Sequence, residues 1–255
     1  MRILRAFLIL LLIVIVVAGV VAATLPASTA YKYFGDKLGA LKLSGLSGTI
    51  WDGRASSAQV FGQELGALTW QFKAKPLLTD AVVDVHFNLD GGAVAASANA
   101  RRSQLGVIDV SNGTFHFPAS LASPALDIPQ LNLLGDIDGA IGHAQVNGVL
   151  LTNANGMLHW KNAAVSGAAQ AQLGDLQADF LSDANGNIQG TARDLGGPLK
   201  LDGTFTVGGG NFNVDAHLAP RDGNPQVAEA LRYIGQPEAD GGSHLIISGQ
   251  LFKVF

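Results

Sequence analysis

Cysteine is wholly absent from the 255 residues of this chain. That removes disulfides, thiolate metal sites and a cysteine nucleophile together. Charge is scarce as well: Asp, Glu, Lys and Arg make up 14% of the chain, and the formal net charge is −4. No Lys/Arg run offsets that balance, so the basic footprint that nucleic acid requires is missing. The common catalytic signatures are missing too. There is no Gly-x-Ser-x-Gly elbow and no His-Glu-x-x-His pair, and Gly208-Gly209-Gly210 lacks the Lys-Ser/Thr of a phosphate loop. The six histidines, His86, His116, His143, His159, His217 and His244, show no paired ligand spacing. His86, His116, His159 and His217 alternate with apolar neighbours, which makes them a solvated set on strand surfaces rather than zinc ligands. Asp136 and Asp138 share a strand face in the manner of an exposed pair. The expectation is a chain that is not an enzyme and that binds no metal, cofactor or nucleic acid.

What the chain has in quantity is apolar surface and glycine: 48% hydrophobic residues and 32 Gly. Part of the first lies at the start, where Arg2 and Arg5 flank an uncharged run from Ala6 to Ala23. A membrane helix needs about 20 apolar residues, so this run, through Ala6, Leu12, Val17 and Ala23, reads as a single anchor. Positive residues favour the cytoplasmic side, which puts everything after Thr24 across the membrane. The alternative is a cleaved signal peptide with Val21 and Ala23 at the cleavage site, although such apolar regions usually run about 7–15 residues. The chain then divides into a lead and anchor (1–25), a juxtamembrane segment (26–42) and a body (43–255). In the juxtamembrane segment Tyr31, Phe34, Leu38 and Leu41 fall near helical spacing. They predict either a short amphipathic helix ended by Gly39 or a loosely helical linker.

From Leu43 the period becomes 2. Leu68, Trp70 and Phe72 alternate with polar residues, as do Val83, Val85, Phe87 and Leu89. Phe205 and Val207, and then Phe212, Val214, Ala216 and Leu218, repeat the pattern. Each run is a strand with one apolar face, on which Trp70, Phe87 and Phe205 lie. Turn signals fall between runs at Asp52-Gly53, Asp90-Gly91-Gly92, Asn112-Gly113, Asn147-Gly148, Asn155-Gly156, Asn185-Gly186 and Gly208-Gly209-Gly210. The fold class is therefore mainly β, an extended antiparallel sheet. Pro118, Pro124 and Pro129 mark Pro118 to Gln130 as an irregular connection or edge segment. The body carries a faint repeat. Ser47 to Gly53 leads to Gly66-Ala67-Leu68-Thr69-Trp70, and Asp138 to His143 leads to Gly156-Met157-Leu158-His159-Trp160, which makes 43–130 and 131–220 candidate repeats. Trp51, Trp70 and Trp160 are expected to be core or edge-covering residues.

One short C-terminal helix is marked by Asn224 as cap, Pro225 as first residue, an apolar face of Val227, Leu231 and Ile234, and Gly235 as stop. The last strand, Ser243 to Phe255, is almost continuously apolar. Leu245, Ile247, Leu251, Phe252 and Phe255 are therefore candidate residues of a partner edge, with cover by the preceding helix as the other reading.

The same residues carry a resemblance. Leu46-Ser47-Gly48-Thr49-Ile50-Trp51-Asp52-Gly53-Arg54-Ala55 is followed by Leu65 to Trp70 and by Lys75-Pro76-Leu77-Leu78. Asn155 to Ala163 supplies the second half. Leu231 to Gly235, Asp240-Gly241-Gly242 and Leu245 to Leu251 supply the end. In order and spacing these pieces resemble the protein N family of the bacterial type II secretion system, the general secretion pathway protein N family, over nearly the whole chain. A departure is Gly142-His143, which stands where a second Trp-x-Gly would be. The resemblance implies a single-pass inner-membrane protein with a periplasmic β domain. It also implies an accessory role in export of folded proteins, the secretin or the inner-membrane platform as partners, and no catalytic residues. The β pattern is similar as well to AsmA-like proteins associated with envelope lipid transport. Two functions stay open: a protein-interaction module that adds a strand at its edge, and a carrier of lipid or another hydrophobe in an open groove.

Overall fold

The computed structural model describes residues 24–60, 62–73, 79–103, 105–122, 131–148, 150–239 and 241–250. The expected anchor positions Ala6, Leu12, Val17 and Ala23 lie outside them, as do Leu251, Phe252 and Phe255. Among the described residues no helix is long and apolar enough to cross a membrane. The chain divides into two compact units at Gly91/Gly92.

In the first unit, helix α1 (Ala27–Phe34) continues into a 3-10 turn, Gly35–Leu38, and Gly39 at φ +63° ends it as expected. Strand β1 (Leu41–Ser44) starts two residues before the period-2 pattern becomes legible. The Leu43 amide donates to the Tyr31 hydroxyl at 3.0 Å, tying helix to strand. Then follow β2 (Ser47–Gly48), β3 (Asp52–Val60), β4 (Gln63–Phe72) and β5 (Val83–Asp90). They pair antiparallel in the order β1-β3-β4-β5, with β2 on β3.

The second unit is a longer meander: β6 (Ala95–Arg102), β7 (Val107–Pro118), β8 (Leu131–Asn147), β9 (Leu150–Gly167), β10 (Ala171–Ser182), β11 (Ile188–Asp194), β12 (Leu199–Gly208) and β13 (Asn211–Pro220). Each strand is antiparallel to the one before it. Helix α2 (Pro225–Leu231) then leads to β14 (Gln236–Pro237) and β15 (Ser243–Gln250). β15 lies against β13, and β14 lies outside β15. Asn224 caps α2 as its sequence predicts, accepting from the Gln226 and Val227 amides at 3.1 Å each. The helix stops at Leu231, earlier than Ile234, because Arg232, Tyr233 and Ile234 close three-residue turns onto Glu229, Ala230 and Leu231.

Three of the expected turns are not turns. Asp52 and Gly53 begin β3, and the reversal precedes them, with the Thr49 amide donating to the Asp52 carbonyl at 2.8 Å. Asn112-Gly113 lies inside β7, where Asn112 at φ +51° forms a bulge, since Asn112 and Gly113 together oppose the single residue between Ser97 and Asn99. Asn155-Gly156 lies inside β9. By contrast Asn147-Gly148, Asn185-Gly186 and Gly208-Gly209-Gly210 do reverse the chain, with Gly209 and Gly210 both at positive φ as a tight hairpin needs.

The reason for glycine inside strands is the neighbour directly opposite. Gly53 faces Trp70, Gly139 faces Phe115, Gly156 faces Phe180, Gly190 faces Phe205 and Gly249 faces Phe212. A Cβ on Gly139 would stand 2.0 Å from the Phe115 ring, and one on Gly190 would stand 2.1 Å from the Phe205 ring. Each ring therefore lies across its partner strand in the space a side chain would fill. Trp70, Phe87 and Phe205 sit on the apolar phase, as the alternation predicts, yet they are half-buried rather than core.

The core of the second unit gathers at one end. Leu131 and Leu133 of β8, Val165 of β9, Leu173 of β10 and Leu199 of β12 are buried with Val227 and Leu231 of α2. Bulges bend the strands there. Gly135 at φ +94° breaks the β8–β9 register, and Gly174 at φ +93° breaks the β9–β10 register. Beyond that end a second, smaller cluster, Ala144, Ala154 and Ile188, is buried on the same face.

Gly139→Ala is expected to lower stability by about 1–3 kcal/mol in chemical denaturation, because its methyl expels the Phe115 ring. Phe115→Ala in that background is expected to recover part of the loss, a coupling that a double-mutant cycle reads directly. Gly156→Ala is the contrast. Its Cβ also meets the Ala140 carbonyl at 2.4 Å, so Phe180→Ala should give no recovery.

Candidate functional site

Two surfaces of the second unit carry chemistry, one on each face of the sheet. On the apolar face a cleft of about 320 Å³ opens from the buried end. Ile137, Trp160, Leu201, Val214, Leu245 and Ile247 line it, and Leu231 and Ile234, from α2 and the turn after it, close one side. Ala178, Ala192 and Ala216 also line it, and these small residues keep it deep. Trp160 presents its ring to the cleft and donates its indole N–H to the Leu134 carbonyl at 2.9 Å, so its polar atom is satisfied at the margin. Trp70 does the same in the first unit, donating to the Ile50 carbonyl at 3.1 Å. Among the described lining residues Gln177 alone is polar, and the others are aliphatic or aromatic.

The opposite face carries rows of histidine and carboxylate. The sequence reading took the histidines as scattered, and strand pairing brings five of them to acids instead. His116 lies 2.9 Å from Asp138 and 4.0 Å from Asp136, and Lys161 lies 2.9 Å from Asp138. Hydrogen bonds from Lys161 and then from His116 hold the Asp138 carboxyl below its ordinary range against a small opposing effect of burial, and Asp138 in turn raises Lys161. His143 is 3.9 Å from Asp109. His159 is 3.3 Å from Asp175 without hydrogen-bond geometry. These contacts are half-exposed, so solvent screens them and each contributes little to stability.

At the β13–β15 end the row is denser. His217 stands directly opposite both Asp202 of β12 and His244 of β15. The His217 and His244 rings stack at 4.2 Å with 11° between planes. His244 Nε2 lies 2.7 Å from Asp215 Oδ1, and His217 Nδ1 lies 3.2 Å from Glu238 Oε1. Asp215, His217 and His244 bring one ligand atom each within 4.8 Å of one another. Next to them Asp194 accepts from the Gly196 and Leu201 amides at 2.9 and 3.0 Å and pairs with Arg221, whose Nε donates to the Gly197 carbonyl at 2.7 Å.

Of the expected partner edge, the two described residues, Leu245 and Ile247, share one face. Both turn into the cleft, which accounts for their apolar character. Ile246, on the other face, is 58% exposed. β14 covers β15 at Ser243 and His244, and from Leu245 to Gln250 no further described strand follows on that side.

Comparison with known proteins gives one consistent relationship. The type II secretion system (T2SS), protein N family matches residues 39–245, which takes in most of both units. The chain belongs to this family. It is also similar to the type II secretion system protein N of Vibrio cholerae serotype O1 (strain ATCC 39315 / El Tor Inaba N16961), 25% identical over 221 residues, which are 83% of this chain and 85% of that protein. No solved structure matches. Membership makes the chain a component of a type II secretion system. It also bears out the resemblance drawn from the Trp-Asp-Gly and Gly-x-Leu-x-Trp segments.

The sequence reading of this family member missed the dense histidine row and the depth of the cleft. The alternation of β13 gives His217 an outward face, but His244 joins it only through the register of β15, which forms after α2 and β14 intervene. For the cleft, the available signal was Ala at apolar-phase positions 178, 192 and 216, where a core strand would carry larger residues.

Asp194 sets an acid limit on this end. Partial burial works against its charge. The Leu201 and Gly196 amides and the Arg221 guanidinium outweigh that and hold it below the usual carboxylate range. A lowered folded-state pKa stabilises the fold above the unfolded value, and the contribution is lost as pH falls through the folded one. Thermal unfolding followed below about pH 4 is expected to show a steeper loss of stability in the parent chain than in Asp194→Asn, which should be weaker at neutral pH.

Proposed function

We propose that this chain is an accessory component of the type II secretion system, held at the bacterial inner membrane by residues 6–23 with the β units in the periplasm. The family match over residues 39–245 carries this reading. The anchor rests on the uncharged run after Arg2 and Arg5. In this reading the protein supports export of folded proteins by contact with other secretion components, such as the secretin or the inner-membrane platform. The outward backbone edge of β15, Leu245 to Gln250, is the surface for that contact. An uncovered edge offers main-chain hydrogen bonds to an added strand, and Ile246 offers a side-chain anchor on the outer face.

A second reading rests on a different observation, the open apolar cleft. Its lining suits a hydrocarbon chain, such as a lipid acyl chain, because a charged or hydrogen-bonding ligand would lose its water there without compensation.

Two experiments separate these readings. A periplasm-only reporter fused after Phe255 is expected to be active, and photocrosslinkers at Ile246 and Ser248 are expected to capture secretion proteins in secreting cells while one at Thr191 does not. A mature chain beginning near Thr24 and soluble in the periplasm, or equal capture at all three positions, would defeat the first reading. For the second, native mass spectrometry of the chain released from membranes is expected to find co-purifying lipid, reduced by Ala192→Phe, which fills the cleft. Lipid occupancy unchanged by that substitution would count against the cleft as its seat.

A further inference from the structure

We infer that Asp215, His217 and His244, on the outer face of β13 and β15, form a binding site for a divalent transition-metal ion. This goes beyond the secretion role and does not depend on it. Asp215 and His217 are two apart on β13 and so project from the same face, and His244 stands opposite His217 on the neighbouring strand. This is a rigid base for three ligands, fixed by sheet register rather than by a loop. One ligand atom from each of the three lies within 4.8 Å of the others, and the Asp215–His244 pair is already at 2.7 Å. Zinc bound tetrahedrally to nitrogen and oxygen at about 2.0–2.1 Å brings its ligands to roughly 3.4 Å from one another. Closing the remaining gap needs side-chain rotation only, on groups that are 60% exposed at Asp215, 60% at His217 and 27% at His244.

The other histidine pairs on this face serve as internal controls. His116, His143 and His159 each meet carboxylates as a single imidazole, without a second one beside it. At the β13–β15 end two imidazoles share one place with a carboxylate. Glu238, 3.2 Å from His217 Nδ1, adds the acidic partner that ligating histidines usually have. Two nitrogen donors with one carboxylate suit zinc, copper or nickel, whereas magnesium and calcium take all-oxygen sites. Three protein ligands leave a fourth position for water or for a group on another molecule.

The test uses the untagged full-length chain in detergent, stripped by chelator and titrated with zinc chloride in a calorimeter. The expected result is one zinc ion per chain, with affinity at least tenfold weaker in His217→Ala and in His244→Ala, weaker also in Asp215→Asn, and within twofold of the parent in His86→Ala and His159→Ala. Cobalt(II) should give visible d–d absorption in the parent that His217→Ala lacks, and calcium should not compete. Unfolding midpoints in chelator check that each variant is folded, and His217→Gln replaces any alanine variant that is not. No uptake by the parent, uptake unchanged in the His217/His244 double variant, or equal loss in the His86 or His159 variant would overturn the site.

Discussion

The contact on which this fold depends is a large ring lying across a glycine on the next strand. It recurs at Trp70/Gly53, Phe115/Gly139, Phe180/Gly156, Phe205/Gly190 and Phe212/Gly249, directly opposite in every case. A sheet face with no second layer has few ways to remove apolar surface from water. An aromatic ring laid flat over a bare backbone is one of them, since it buries ring and peptide at once. The glycine is unfavourable in a strand by itself, because it adds no side chain and gives up backbone freedom. The two residue types make sense only as pairs. They also fix register, because a slip in pairing would set each ring against a residue that carries a side chain on the same face.

That local solution lets one face of the second unit stay partly open. At the α2 end the bulges at Gly135 and Gly174 bend β8, β9 and β10, and Leu133, Val165, Leu173 and Leu199 close on Val227 and Leu231 as a true core. Further along the strands Leu201, packed against the edge of that core, lines the cleft with Val214 and Ile247, and Ala178, Ala192 and Ala216 leave depth between them. A smaller buried group, Ala144, Ala154 and Ile188, secures the other end of the same strands. The unit is thus held at both ends, with the cleft between them. An apolar surface of that kind is normal for a binding face and unusual for a purely structural one.

The sequence made the strand faces legible because alternation is a local signal: the burial of β12 and β13 follows it almost residue by residue, while β4 and β5 are half-buried along most of their length. The Asn224-Pro225 helix start and the Asn185-Gly186 turn are local as well, and the structure agrees with both. Where the reading failed, the deciding partner was distant. Asn112-Gly113 and Asn155-Gly156 have the composition of hairpin turns, but the first makes a bulge and the second lets Phe180 cross. Reading them as turns cut β7 and β9 short, and β9 in fact runs for 18 residues, well beyond the usual strand of about 5–6. The apolar C-terminal strand was ambiguous for the same reason. Alternation cannot say that Leu245 and Ile247 meet a cleft that α2 helps to wall.

The outer face follows a different logic from the inner one. Its rows of histidine and acid cross strands at right angles to the chain, so each row joins residues far apart in sequence. A single exposed ion pair contributes little, because solvent screens it and ordering two side chains costs about as much as it returns. The rows therefore do not explain the stability of the sheet, which the rings, the bulged core and the backbone ladder provide. What they create is a pattern of charge in fixed register, with imidazoles held between carboxylates at spacings set by the strand distance of about 4.8 Å. Ligands of one metal ion stand closer than that, at roughly 3.4 Å, so side chains on neighbouring strands must lean together to share one. Where two histidines fall opposite each other, as at His217 and His244, the sheet itself sets the distance between ligands. The same register that seats the rings on one face thereby places the ligands on the other.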